Sequence, residues 1–208
     1  MKTTIKLLVI LTLALATFSQ YSAASAGGVF KSRGKGASAI FSSVDASGCV
    51  FTDVFVNPNE GFFQAPPGPG GTSSGVLLAI SQYDACAGVQ LLAAEGFAPL
   101  GDPDFQVFGN LESATLNATV NVFDFVTGTS FDVFVSLTWT ATGPVNRQSS
   151  HSHFDSPGCK VNSRFIGSFR GAVATGSVSD GSTNYTPEPS LGFDIFKAKS
   201  GEVVIGCN

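Results

Sequence analysis

The chain has 208 residues, a formal net charge of −4, and 12% charged against 43% hydrophobic residues. That length supports one domain with a sizeable core. An acidic chain so poor in Lys and Arg argues against nucleic acid as a partner. The charged share is about half the usual one, so the surface must be built largely from Ser, Thr, Asn and Gly, as suits an extracellular protein.

The N-terminus has the layout of an export signal: Lys2 and Lys6, an apolar run over Leu7–Phe18, then Ala24-Ser25-Ala26 as a small-residue cleavage site. The run is too short for a bilayer-spanning helix, which needs roughly 20 residues. Residues 1–26 are therefore expected to be cleaved, leaving residues 27–208 as a single all-β domain outside the cytoplasm, extracellular or periplasmic. No later run predicts a transmembrane helix. Removing Lys2 and Lys6 makes the mature chain still more acidic.

After a Gly-rich basic start over Gly28–Gly36, the stretches Ala37–Asp45 and Cys49–Asn57 alternate and predict a hairpin around Ala46-Ser-Gly48. Asn57–Ser74, with Ala65-Pro-Pro-Gly-Pro-Gly-Gly71, reads as a loop. Gly75–Gln82 predicts a strand, and Val89–Glu95 a strand or a short helix. Gly96–Pro103 reads as a loop and Asp104–Phe108 as a short strand.

The strongest pattern follows, in the runs Leu111–Val126 and Phe131–Thr142. In the second, Phe131, Val133, Val135, Leu137, Trp139 and Ala141 alternate with a polar side broken only by Phe134. A period of two puts one side of each strand on a core and the other in water, and places Trp139 in that core. Val145–Phe154, Lys160–Phe169 and Gly171–Ser179 predict further strands, with a turn at Asp155–Gly158. Asp180–Ser190 reads as a second loop. Leu191–Lys197 and Glu202–Gly206 close the domain as a hairpin around Ser200-Gly201.

Ten to twelve short strands at near-regular spacing predict one antiparallel β-sandwich of about ten strands, jelly-roll-like, with a closed β-barrel around an internal cavity as the alternative. The four cysteines, Cys49, Cys86, Cys159 and Cys207, suit an oxidising compartment. Sequence neighbours often pair in antiparallel sheets, so the expected bridges are Cys49–Cys86 and Cys159–Cys207. A metal held by the four thiolates lacks any Cys-x-x-Cys spacing.

Three patterns carry chemistry. His151, His153 and Asp155 fall on one side of a strand, and two imidazoles with a carboxylate form a ligand set for a divalent metal such as zinc, iron or manganese. Nearby, Arg147, Lys160, Arg164 and Arg170 make a basic patch suited to an anionic ligand or polymer. Gly71-Thr-Ser-Ser-Gly75 matches the hydrolase string G-x-S-x-G, but no helix follows the serine, as that motif requires. Tyr83 and Tyr185 are the tyrosines placed for surface stacking. No complete catalytic set is visible, so a secreted, non-catalytic binding or cell-surface structural module of unknown ligand is the leading expectation. A metal-dependent enzyme centred on His151, His153 and Asp155, and a lipocalin-like carrier of an apolar ligand, are the alternatives.

Overall fold

The computed structural model describes residues 28–65, 68–191 and 193–207, so the segment expected to be an export signal, residues 1–26, lies outside the described residues. These form eleven strands and no helix. In chain order they are β1 (Gly28–Ala37), β2 (Ala39–Val44), β3 (Val50–Gln64), β4 (Gly71–Asp84), β5 (Val89–Pro99) and β6 (Phe105–Phe108). Then come β7 (Ser113–Asp124), β8 (Thr129–Ala141), β9 (Asn146–Ser156), β10 (Cys159–Ser179) and β11 (Phe193–Cys207). All pairings are antiparallel and run β1-β11-β10-β8-β7-β5-β4-β3-β2, with β6 on β7 and β9 on β10. β1 also pairs β3, so the path returns to its starting strand. The all-β antiparallel class is as predicted, and the architecture is compatible with a sandwich-like fold.

Two regions share this sheet. The body is closed around one hydrophobic cluster that includes Val54, Leu78, Leu116, Val120, Val133 and Trp139, all at most 1% exposed. The β7–β8 hairpin supplies much of it, in unbroken register from Ser113↔Thr140 to Asp124↔Thr129. Trp139 is fully buried, and its indole N–H donates to the Ser38 carbonyl 2.9 Å away, tying β8 to the short break between β1 and β2. Fully burying each such aliphatic side chain contributes roughly 1.5–3 kcal/mol.

The second region is an arm in which β9, the first half of β10, the second half of β11, β1, the end of β3 and the start of β4 run on past the cluster, in that neighbour order. Beyond Ala172, β10 leaves β8 and takes β9 as its neighbour.

Several predicted breaks are absent. Asn57–Ser74 is mostly strand: β3 runs through Pro58, and β4 starts at Gly71. Pro58 has no N–H to donate, and it sits where β3 changes neighbour, from β2 at Ala39↔Val56 to β1 at Gly36↔Asn59. A proline is tolerated where the partner strand is interrupted. Gly96–Pro99 belongs to β5, and Val89–Glu95 is strand rather than helix. Lys160–Ser179 lies in one 21-residue strand, not a strand pair. The expected hairpin at Ser200-Gly201 is instead an irregularity within β11, which gains a residue against both neighbours there.

The Asp180–Ser190 loop is present and seals the body. Its Ser190 hydroxyl accepts the Ala174 N–H and its Thr186 hydroxyl the Val178 N–H, while Leu191 N–H donates to Ile40 O on β2. The free side of β10 is thereby capped by a loop instead of a strand, through these hydroxyls and through the Tyr185 and Ser190 N–H groups, which donate to the Val178 and Ala174 carbonyls.

Cys49 and Cys86 form a disulfide between the β2–β3 and β4–β5 turns, as predicted. Cys159 and Cys207 are register partners at the end of the arm, and Cys159 is disulfide-bonded; the side chain of Cys207 lies outside the described residues.

Candidate functional site

Charge divides the two regions sharply. Between residues 28 and 208 the chain has nine Lys and Arg, and all nine lie in β1, β9, β10 and β11. These four strands carry three acids, Asp155, Asp194 and Glu202. The rest of that span carries twelve acids and no Lys or Arg.

Register sets the side on which each basic residue stands. Residues two apart on a strand share a side, and so do register partners on neighbouring strands. β9 pairs β10 without a shift, so Arg147, His151, His153 and Asp155 share a side with Lys160, Asn162 and Arg164. Arg170 continues the same alternation on β10. Across β11, Glu202 pairs Arg164 and Lys31, and Lys197 pairs Ser168 and Lys35. Arg33 lies between Lys31 and Lys35, opposite Phe62 of β3. Eight of the nine basic residues thus occupy one side, and Lys199 sits in the β11 irregularity.

This is the side that, in the body, faces the core. Ala37 on β1, Ala172 on β10 and Ile195 on β11 are all buried at 1% exposure or less. The next residues on that side, moving into the arm, are Lys35, Arg170 and Lys197. The apolar series turns basic where the strands outrun the wall that would cover them.

Few of these charges are neutralised internally. Among the described residues the ion pairs are Lys35–Glu60 at 3.0 Å and His153–Asp155 at 3.0 Å. Arg33 lies over the Phe62 ring, 5.1 Å from its centroid, and Arg170 donates to the Gly143 carbonyl. Lys31, Arg147, Lys160, Arg164 and Lys197 are exposed.

Arg147, Lys160, Arg164 and Arg170 therefore stand on one side, as one half of a larger basic face. Lys31, Arg33, Lys35 and Lys197 were missing from the predicted patch. The signal that reveals them is the absence of any Lys or Arg from residue 36 to residue 146.

His151, His153 and Asp155 do share a side, all exposed. His153 Nδ1 lies 2.6 Å from Asn162 Oδ1, and Nε2 lies 3.0 Å from Asp155 Oδ2. Both partners present an oxygen to the ring, an arrangement that favours its doubly protonated form. The Asn162 hydrogen bond, then the Asp155 hydrogen bond and charge, raise the His153 pKa above the ordinary histidine value. Both ring nitrogens are thus taken up by Asn162 and Asp155. His151 stands in register with Arg164. Among the described residues, the His, Cys, Asp and Glu side chains whose ligand atoms converge in a group of three or more are Cys49, Asp84 and Cys86, and there the two sulfurs are already bonded to each other.

The opposite end of the body has an open cleft of about 580 Å³, lined by Asp124, Asp132, Asp180, Phe131 and Tyr185 among others. Asp132 on β8 accepts from the Asn121 amide across the hairpin, while Asp124 and Asp180 serve turns. Burial would raise the Asp180 carboxyl, but N–H and O–H donors from Thr183, Tyr185 and Ser182 override it and hold the group far below the usual carboxylate range. Asp124 follows the same logic: burial opposes ionisation, and donors from Thr127, Val126 and Ala93 win. Burial and the bond to Asp180 push the Tyr185 hydroxyl up. Tyr185 is only 6% exposed, so it is no surface platform, whereas Tyr83 is exposed. The Gly71–Gly75 string lies inside β4, with no turn into a helix.

No helix among the described residues is long and apolar enough to cross a membrane. Comparison with protein-family models, with curated proteins and with solved structures finds no match for this chain.

Proposed function

We propose that this is an exported, non-catalytic binding protein that holds an anionic ligand on the basic side of β1, β9, β10 and β11. One observation carries the reading: eight basic side chains share one sheet side, and Lys35 is the only Lys or Arg among the described residues in an ion pair. Like charges gathered on one surface raise the energy of the free protein and lower that of an anionic complex. Export is supported by the Cys49–Cys86 disulfide, which persists in oxidising compartments, together with the signal-like N-terminus.

The test uses the contradiction between net and local charge. The protein is acidic overall, yet at pH 7 and low salt it should be retained on a sulfopropyl matrix, which is anionic. A triple variant, Lys31→Gln, Arg164→Gln and Lys197→Gln, should elute at clearly lower salt. Wild type in the flow-through, or variant and wild type eluting together, rejects the proposal.

A further inference from the structure

Resting on that reading, we infer that the anionic ligand is a linear acidic polysaccharide, carrying carboxylate or sulfate groups, that lies along the arm. The basic groups do not converge on a point. On β10 alone they run from Lys160 through Arg164 to Arg170, ten residues or ~33 Å at the usual rise per residue. Across the strands they span β9, β10, β11 and β1, three spacings of ~4.8 Å. A compact anion meets one or two of these charges. A chain with repeated charges meets a row of them and gains from each, because binding the first segment raises the local concentration of the next.

The same face argues against the other polyanions. Single-stranded nucleic acid is held by stacking bases on aromatic rings, and on β1, β9 and β10 this side carries no Phe, Tyr or Trp. Phe62 of β3 is already covered by Arg33. A lipid surface needs cations and apolar groups aimed the same way. Here the basic side carries only the smaller Val29, Ile166 and Val204, while Phe30, Phe63, Phe165 and Val203 stand on the other side of these strands, around a depression of about 150 Å³ that Lys31 and Arg164 also line.

The experiment titrates the full mature chain, fluorescently labelled at its N-terminus, with heparin-derived and polyuronate oligosaccharides of increasing length. Inorganic sulfate and single-stranded DNA serve as comparison probes. Affinity should climb at least tenfold from the shortest oligosaccharides to those approaching ~33 Å, then level off, and should fall steeply with added salt. Lys160→Gln, at one end of the row, should bring the levelling-off to a shorter length. Arg164→Gln, in the middle, should weaken binding at every length above the shortest. Sulfate bound as tightly as the long chains overturns this inference and leaves anion binding standing. DNA bound more tightly than any oligosaccharide overturns it in favour of a nucleic-acid ligand. Binding to none of the probes removes the anion-binding reading itself. Unchanged near-ultraviolet circular dichroism shows that each variant is folded.

Discussion

Body and arm are made partly from the same strands, so they isolate what a strand's two sides are for. On β10 the side that holds Ala172 and Ala174 against Trp139 becomes, toward the start of the strand, Arg170, Arg164 and Lys160. The alternation never lapses. What changes is whether another wall of sheet stands opposite. In the body the facing strands take away the water, and only apolar groups with matched partners are stable there. In the arm no wall covers that side, and charge carries no desolvation cost until a ligand arrives. The two regions should therefore respond to substitution in opposite ways, the body through stability and the arm through binding.

The largest separation is expected between Trp139 and Arg164. Trp139→Ala removes a fully buried ring and should cost about 3–5 kcal/mol in urea denaturation. Trp139→Phe keeps most of the packing but orphans the Ser38 carbonyl, for about 1–3 kcal/mol. Arg164→Gln should change stability by no more than ~0.5 kcal/mol while weakening retention on the anionic matrix. If Arg164→Gln destabilises as much as Trp139→Ala, the arm is part of the packed core and the division is false.

A step below lies the Cys49–Cys86 bridge, which closes a 37-residue separation at the end of the body away from the arm. Replacing both cysteines by Ala should lower stability by about 2–4 kcal/mol. The effect is expected to stay local, because Val50↔Asp84 in the β3–β4 register already brings the two turns together. Retention of the folded double variant should equal that of wild type. A loss of anion binding in fully folded protein would mean that the acidic end and the basic arm are coupled.

The same division explains what could be read without coordinates. The β7–β8 hairpin was legible because it lies wholly in the body, where every second residue must be apolar. Trp139 stood in the middle of that series and is buried as its position implied. The arm was far less legible. Its strands carry Gly, Ser and charge on both sides in places, and such residues normally mark loops. Lys31, Arg33 and Lys35 looked like no more than a Gly-rich basic start, and Ser200-Gly201 like a turn, although β1 and β11 are held by pairing on both edges. Pro58 looked like a strand breaker, and nothing local tells that its neighbour strand changes there. Net charge misled in the same way, since it averages an acidic body with a basic arm.

The smallest effect expected is also the one most specific to the arm. His153 is exposed and gripped by Asn162 and Asp155, with Lys160 on the adjacent strand opposing its charge. Its pKa is raised, with the Asn162 hydrogen bond as the largest cause. A raised value means that the folded state holds the proton more tightly than the unfolded chain does. The resulting stability is complete below the unfolded histidine value of about 6.5 and is lost as pH rises through the higher folded value. Screening by solvent keeps that gain slight, so the informative readout is the titration itself, followed by the ring proton signals of His153 in NMR. The midpoint should lie above that of an unstructured histidine, and Asn162→Ala or Asp155→Asn should bring it down. Adding a long acidic oligosaccharide should move it further up, because an anion on this face favours the imidazolium. A midpoint that ignores both the substitutions and the ligand would place His153 outside the charged surface, and would leave the arm's basic face to its Lys and Arg alone.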